Sequence, residues 1–108
     1  MKKTKRFNPA DRYKYDFTLL DKGYSQIDTD QDAWYYGNWA NPDTFVIFTY
    51  AEGDCIIVEC DDKEEFVEEI RKMVEWNKER QGFCKIDPGL SPKSREKWVN
   101  LGLQDILH

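Results

Sequence analysis

The pattern of apolar and polar residues is clearest over the stretch Phe45–Arg80. Two short runs rich in β-branched and aromatic residues, Phe45–Tyr50 and Cys55–Cys60, flank the turn-forming residues Ala51–Asp54. Gly53 in that turn can adopt the positive φ that a tight hairpin needs. The pattern therefore predicts an antiparallel β-hairpin.

A helix is predicted directly after the hairpin. Asp62 and Glu65 have the spacing of a capping box, in which their side chains accept backbone N–H groups at the helix start. Gly82, which follows the basic residues Lys78 and Arg80, marks the predicted end. Apolar residues at three- and four-residue spacing predict one buried stripe: Phe66, Val67, Ile70, Met73 and Val74.

Weaker patterns predict the remaining elements. Tyr13–Leu19 alternates apolar and polar residues, which is typical of a half-buried strand. A strand is also predicted at Ala33–Ala40, whereas Tyr24–Ile27 is too short for the pattern to decide between a returning strand and a loop. Ser91 followed by Pro92 predicts a second helix, which runs to about Ile106 with Trp98, Val99 and Leu103 facing inward.

Together these elements predict one α+β domain with the order β-β-β-β-α-α. Its antiparallel sheet has about four strands, the last hairpin is central, and the two helices pack on one face. A length of 108 residues suits a single domain. Residues 1–12 are expected to be a loosely held basic arm, and residues 13–108 the folded unit.

Composition narrows the expected environment. With 34% charged residues and no long apolar run, the chain is not expected to span a membrane. Met1–Arg6 is basic but lacks the apolar segment of a secretion signal, so a cytoplasmic location is expected. Cys55 and Cys60 point to opposite faces of one predicted strand and Cys84 stands alone, which favours buried thiols over a disulfide or metal site.

Charge is unevenly distributed along the chain. Residues 1–15 carry six basic residues and one acidic residue, whereas residues 16–69 carry fifteen acidic residues and two lysines, a net of −13. Residues 70–108 carry eight basic and five acidic residues. Such an acidic middle attracts basic partners and disfavours direct binding of nucleic acid through that surface.

The best candidate interface combines this acidity with aromatic residues. Tyr and Trp bring large rigid areas to binding sites, and four aromatic residues fall between Trp34 and Trp39. The predicted anchors are Trp34, Tyr36 and Trp39, and the predicted charged surround is Asp28, Asp30, Asp32, Glu52 and Asp54. The alternative is that the aromatic residues complete the core on both sheet faces.

No metal, cofactor or catalytic residue is predicted. The carboxylates of residues 28–32 alternate as in a calcium loop, but Ala33 and Trp39 stand where that loop needs glycine and a bidentate glutamate. The only histidine, His108, lies at the end of the sequence and is expected to fray. Glu52 and Asp54 could form a carboxylate pair, but a polar turn is the simpler interpretation.

One segment resembles a known group of proteins. The pattern from Trp34 to Pro42, W-Y-Y-G-N-W-A-N-P, followed by the strand and the turn Tyr50–Asp54, is similar to short uncharacterised bacterial proteins carried on plasmids and phages. The resemblance implies an origin on a mobile element. It implies no activity and no functional residues.

Three hypotheses about function follow. The first is a non-enzymatic module that docks on a basic partner protein, as a mobile-element inhibitor or a mimic of nucleic-acid charge. The second is a nucleic-acid-binding accessory protein that uses the basic arm and the C-terminal helix, with aromatic side chains stacking on bases. The third is a small carboxylate-dependent enzyme. The oligomeric state is left open.

Overall fold

The computed structural model describes residues 2–7, 22–29, 38–51 and 54–108. Within these ranges the chain is α+β, with an antiparallel sheet and two α-helices. The strands are β1 Lys3–Phe7, β2 Ser25–Thr29, β3 Asn38–Asn41, β4 Val46–Ala51, β5 Asp54–Glu59 and β6 Cys84–Asp87. The helices are α1 Lys63–Gln81 and α2 Pro92–Asn100, followed by the 3-10 turn Gln104–Ile106.

The predicted hairpin is confirmed as β4 and β5. The strands pair antiparallel from Val46 opposite Glu59 to Ala51 opposite Asp54, so they extend one residue further into the turn than predicted. The strand order in the sheet is β1-β5-β4-β3-β2-β6. The hairpin therefore lies inside the sheet, with β1 on one side and β3 on the other.

The prediction of about four strands is wrong, because the described part of the sheet has six. One additional strand is β1, which pairs with β5 although the sequence placed it in a loose basic arm. The other is β6, which pairs with β2 and was not predicted. Main-chain hydrogen bonds hold such edge strands, so they need no alternating apolar pattern. The predicted strand at residues 13–19 lies outside the described residues.

Helix α1 begins and ends as predicted. The carboxylate of Asp62 accepts the backbone N–H of Glu65 at 2.8 Å, and Gly82 closes the helix in the left-handed conformation with φ 77°. Its N–H donates to the carbonyl of Lys78 at 2.8 Å. The predicted apolar stripe faces inward, since Phe66, Ile70 and Val74 are buried and Val67 and Met73 pack beside them.

Helix α2 is shorter than predicted. It ends at Asn100 rather than near Ile106, because Gly102 adopts a left-handed φ of 79° and turns the chain away. Ser91 precedes the helix, but its side chain makes no capping hydrogen bond. After the 3-10 turn, Leu107 forms a parallel bridge with Ile86 at the outer side of β6.

The core is organised around Trp98 of α2, which is fully buried. Its indole Nε1 donates to the hydroxyl of Ser25 in β2 at 2.9 Å. Its ring stacks on Phe66 of α1 at a centroid distance of 5.8 Å. One residue thus joins both helices to the sheet; the packing of both helices on one face stays a prediction.

The turn between β3 and β4 contains the one non-glycine residue with positive φ in the described part of the chain. The side-chain oxygen of Asn41 accepts the N–H groups of Asp43 and Thr44 at 2.8 and 3.2 Å and so closes the turn. Phe45 then adopts φ 62°. The centroid of its ring lies 5.3 Å from the ring centroid of Phe66, so this packing compensates for the strained backbone at Phe45.

The Trp98–Ser25 hydrogen bond gives the first testable prediction. Ser25→Ala leaves the buried indole N–H without its acceptor and is expected to lower the free energy of unfolding by about 1–3 kcal/mol. Ser91→Ala is the matched control, because that exposed hydroxyl makes no capping bond, and it should change stability by less than about 0.5 kcal/mol. Urea unfolding measures both, and equal stabilities would contradict the assignment.

Candidate functional site

Part of the predicted acidic and aromatic patch can be placed. Asp28, Trp39 and Asp54 lie in the described residues, in β2, β3 and β5. The other predicted binding residues, Trp34, Tyr36, Asp30, Asp32 and Glu52, lie outside them. The patch as a whole therefore stays a prediction.

Trp39 does not offer a free surface. Only 8% of it is exposed. Its neighbour Ala40 belongs to the core cluster, so strand alternation directs Trp39 to the opposite face of the sheet. There it pairs across the strands with Phe48, which in turn pairs with Ile57. Trp39 is therefore largely covered in the folded chain, and its role as an anchor stays a prediction.

Asp28 is engaged by the last residue of the chain. Its Oδ2 lies 2.8 Å from Nε2 of His108, and the backbone N–H of His108 donates to the carbonyl of Ile86 at 3.0 Å. The His108 ring also packs against Phe83, and its carbonyl accepts from Arg95. The expectation that His108 frays is wrong. Asp28 and His108 are 80 residues apart, so no local signal could indicate the pair.

Cys84 lies near this pair but has the wrong properties for a nucleophile. It stands opposite Thr29, whereas Lys85 stands opposite Asp28, so alternation directs the thiol and the carboxylate to different faces. Burial, followed by the charge of Asp28, raises the pKa of the Cys84 thiol to about 11. The thiol is therefore protonated at neutral pH and gives no Cys-His-Asp catalytic arrangement.

Cys60 has a similar environment. It is buried at the end of the hairpin, and burial, together with the nearby charges of Glu65 and Glu69, raises its pKa to about 11. Both thiols thus behave as small apolar core residues, as the spacing of the cysteines indicated.

The most acidic described surface surrounds the start of α1. Residues 61–69 contain six carboxylates and one lysine. We call the exposed members the acidic cluster: Asp61, Asp62, Glu64 and Glu68. Glu68 also forms an i,i+4 ion pair with Lys72 at 2.9 Å, and the hydrogen bond from Lys72 lowers its pKa. Sequence analysis had assigned these residues to a helix start and a solvated helix face.

Trp76 is an exposed aromatic residue on the same helix. It is 41% exposed, and the guanidinium carbon of Arg80 lies 3.8 Å from its ring centroid. The aromatic face is thus partly covered by a cation, and the rest is open to solvent. Trp76 lies eight residues after Glu68, which is about 80° further around the helix and about 12 Å along its axis.

Two open depressions lie along the flank of α1, with volumes of about 510 and 460 Å³. Arg71 borders both, and its guanidinium binds the carboxylate of Asp105 at 2.9 and 3.0 Å and the carbonyl of Gly102 at 2.9 Å. Both acidic and basic side chains line each depression, so neither depression selects a ligand by charge.

Comparisons with known proteins add no further assignment. No protein-family model, curated protein or solved structure matches the chain. Among the described residues, no three His, Cys, Asp or Glu side chains are grouped so that they could hold a metal ion. None of the described helices has the length and apolar character needed to cross a membrane. The functional argument therefore rests on the residues of this chain.

The buried thiols give a testable prediction about pH. With Cys55→Ser as the background, Cys60 and Cys84 should react with Ellman's reagent at pH 8 about a hundredfold more slowly in the folded than in the urea-unfolded protein. Since their pKa is raised from 9.0 to about 11, the unfolded chain loses these protons first. The free energy of unfolding should therefore fall as pH rises from 9 towards 11.

The control for this pH effect is the same background with Cys60→Ala and Cys84→Ala. That variant loses core contacts and overall stability, yet its stability should depend less steeply on pH in this window. Rapid labelling of both thiols in the folded protein would contradict their assignment as buried core residues.

Proposed function

We propose that this chain is a non-enzymatic protein-binding module that docks on a basic partner protein. The observation that carries the proposal is the acidic cluster at the start of α1, where Asp61, Asp62, Glu64 and Glu68 are exposed. Clustered carboxylates raise the rate of encounter with a basic surface and select partners by charge. The net charge of −5 acts in the same direction.

The basic residues of the chain support this choice over nucleic-acid binding. Lys2 of the basic arm pairs with Glu69, so this lysine faces the protein's own carboxylate. Lys97 of α2 pairs with Asp43 at 2.6 Å. Phosphate binding requires Lys and Arg that can neutralise the ligand's charge. These pairs reduce the charge available for that purpose in both segments proposed for it.

Trp76 supplies an apolar anchor beside the acidic surface. It is the exposed tryptophan of the described residues and lies on the same helix as Glu64 and Glu68. Interfaces combine such aromatic residues with a charged rim, because the ring provides area and the charges provide selectivity. In this proposal Trp76 takes the role that the sequence assigned to Trp39, while Trp34 and Tyr36 stay predicted anchors.

The proposed class of partner is a nucleic-acid-binding protein. Such proteins carry basic surfaces that bind phosphates, and exposed carboxylates on one helix offer a similar series of negative charges. A module of this kind would compete with nucleic acid for its partner. An inhibitor carried on a mobile element is one form that such a module would take.

The test neutralises the acidic cluster and leaves the helix cap intact. The variant is Asp61→Asn with Glu64→Gln and Glu68→Gln, since Asp62 caps α1. Partners captured from a bacterial lysate are identified and purified, and their affinity for both proteins is measured by calorimetry. We expect basic nucleic-acid-binding proteins whose affinity falls about tenfold in the variant, since close charge pairs contribute to binding.

The matched control neutralises exposed carboxylates outside α1: Asp43→Asn, Glu96→Gln and Asp105→Asn. The ion pairs that Asp43 and Asp105 lose are exposed and contribute little to stability. This control changes the net charge equally and should retain most of the affinity. The wild-type chain should also displace duplex DNA from the purified partner. The proposal would be overturned if the captured proteins are acidic or if both variants lose affinity for the partner equally. It would also be overturned if the partner keeps its DNA when the wild-type chain is added.

A further inference from the structure

The two edges of the sheet are treated differently. At the β6 edge the chain covers itself, since Leu107 forms a parallel bridge with Ile86 and the N–H of His108 donates to the carbonyl of Ile86 at 3.0 Å. The opposite edge is β1, which pairs with β5 on its inner side. Among the described residues no strand pairs with its outer side.

The first part of the β1 edge is exposed to solvent. Residues 2–5 are all exposed, including Thr4, which stands opposite the core-facing Val58. An edge strand presents N–H and C=O groups that can pair with a further strand. Accessible main chain on a sheet edge is the surface used in strand addition, in which an extended peptide extends the sheet.

The charge of β1 determines which strand can add. Residues 1–7 contain four basic residues, Lys2, Lys3, Lys5 and Arg6, and no acidic residue. Lys3 and Lys5 lie on one face by strand alternation. A second copy of β1 would bring like charges together, which opposes pairing. Basic side chains on an edge thus select against self-association and favour a strand of opposite charge.

We propose that the β1 edge binds an extended acidic segment of a partner protein by strand addition. The segment would place carboxylates at alternate positions opposite Lys3 and Lys5, while its main chain pairs with β1. Lys5 already pairs with Glu59, but that pair is exposed, with side-chain exposures of 63% and 39%. Such a pair is weak and can be shared with an incoming carboxylate.

This edge site uses different residues from the acidic cluster of α1, although Lys2 beside β1 pairs with Glu69 of that helix. It takes a ligand of the opposite charge and uses main-chain hydrogen bonds. Variants at Lys3 and Lys5 leave every residue of the acidic cluster in place, and neutralising the acidic cluster leaves Lys3 and Lys5 in place. Failure of one proposal does not decide the other.

The test uses a labelled peptide of about eight residues that alternates glutamate with threonine and valine. Fluorescence anisotropy measures its affinity for the wild-type chain, and amide NMR shifts locate its binding site. We expect shifts centred on residues 3–7. The Lys3→Glu and Lys5→Glu double variant should bind about tenfold more weakly.

Three controls separate strand addition from charge attraction. Lys63→Glu with Lys93→Glu changes the net charge equally at exposed helix starts and should keep the affinity. The same peptide with methylated backbone nitrogens keeps its charges and should no longer bind the wild-type chain. This control uses the wild-type protein only, so its result does not depend on whether a variant folds. A single-stranded oligonucleotide of equal charge should bind more weakly.

Several outcomes would overturn the proposal. The first is that the peptide does not bind at low salt, and the second is that the methylated peptide binds as tightly as the unmethylated one. The others are that the oligonucleotide binds as tightly as the peptide or more tightly, and that the NMR shifts fall outside β1 and β5. If the peptide does not bind, the role left for the β1 lysines is to prevent aggregation at the sheet edge.

Discussion

The fold depends on a single buried side chain that needs both apolar packing and a hydrogen-bond acceptor. A buried indole N–H must find a partner, and Trp98 finds Ser25, 73 residues earlier in the chain. The same ring stacks on Phe66, so the contact fixes α1 and α2 relative to β2. Strand β2 also carries Asp28, which binds His108. The contact between Asp28 and His108 positions the C-terminal segment, which covers the β6 edge. The cover of this edge therefore depends on the same core.

Local signals explain what could be predicted from the sequence. The hairpin and α1 were predictable because turn residues, an N-cap and a buried stripe lie close together in the chain. Strand β1 carries no such signal, since three of its five residues are charged and it is held in the sheet by pairing with β5. The end of α2 was missed because an apolar pattern continues past Gly102, whereas that residue adopts a left-handed conformation.

The site shows a similar division. Charge patterns indicated where carboxylates concentrate, and the structure exposes those of the acidic cluster. The burial of Trp39 could not be read from its neighbours, because an aromatic residue in a strand packs equally well on either sheet face. The Asp28–His108 pair depends on tertiary structure alone. The two proposed surfaces also differ in origin: one arises from a local charge run, the other from the position of a strand at the end of a sheet.

The turn at Phe45 restricts how this sequence can change during evolution. Its φ of 62° is a conformation that glycine adopts without cost, yet the ring that packs on Phe66 requires a side chain. Glycine would relax the backbone and leave a void, while a β-branched residue would increase the strain and fill the space poorly. Substitutions at this position therefore face two opposing demands, and a large aromatic residue meets the packing demand while the backbone stays strained.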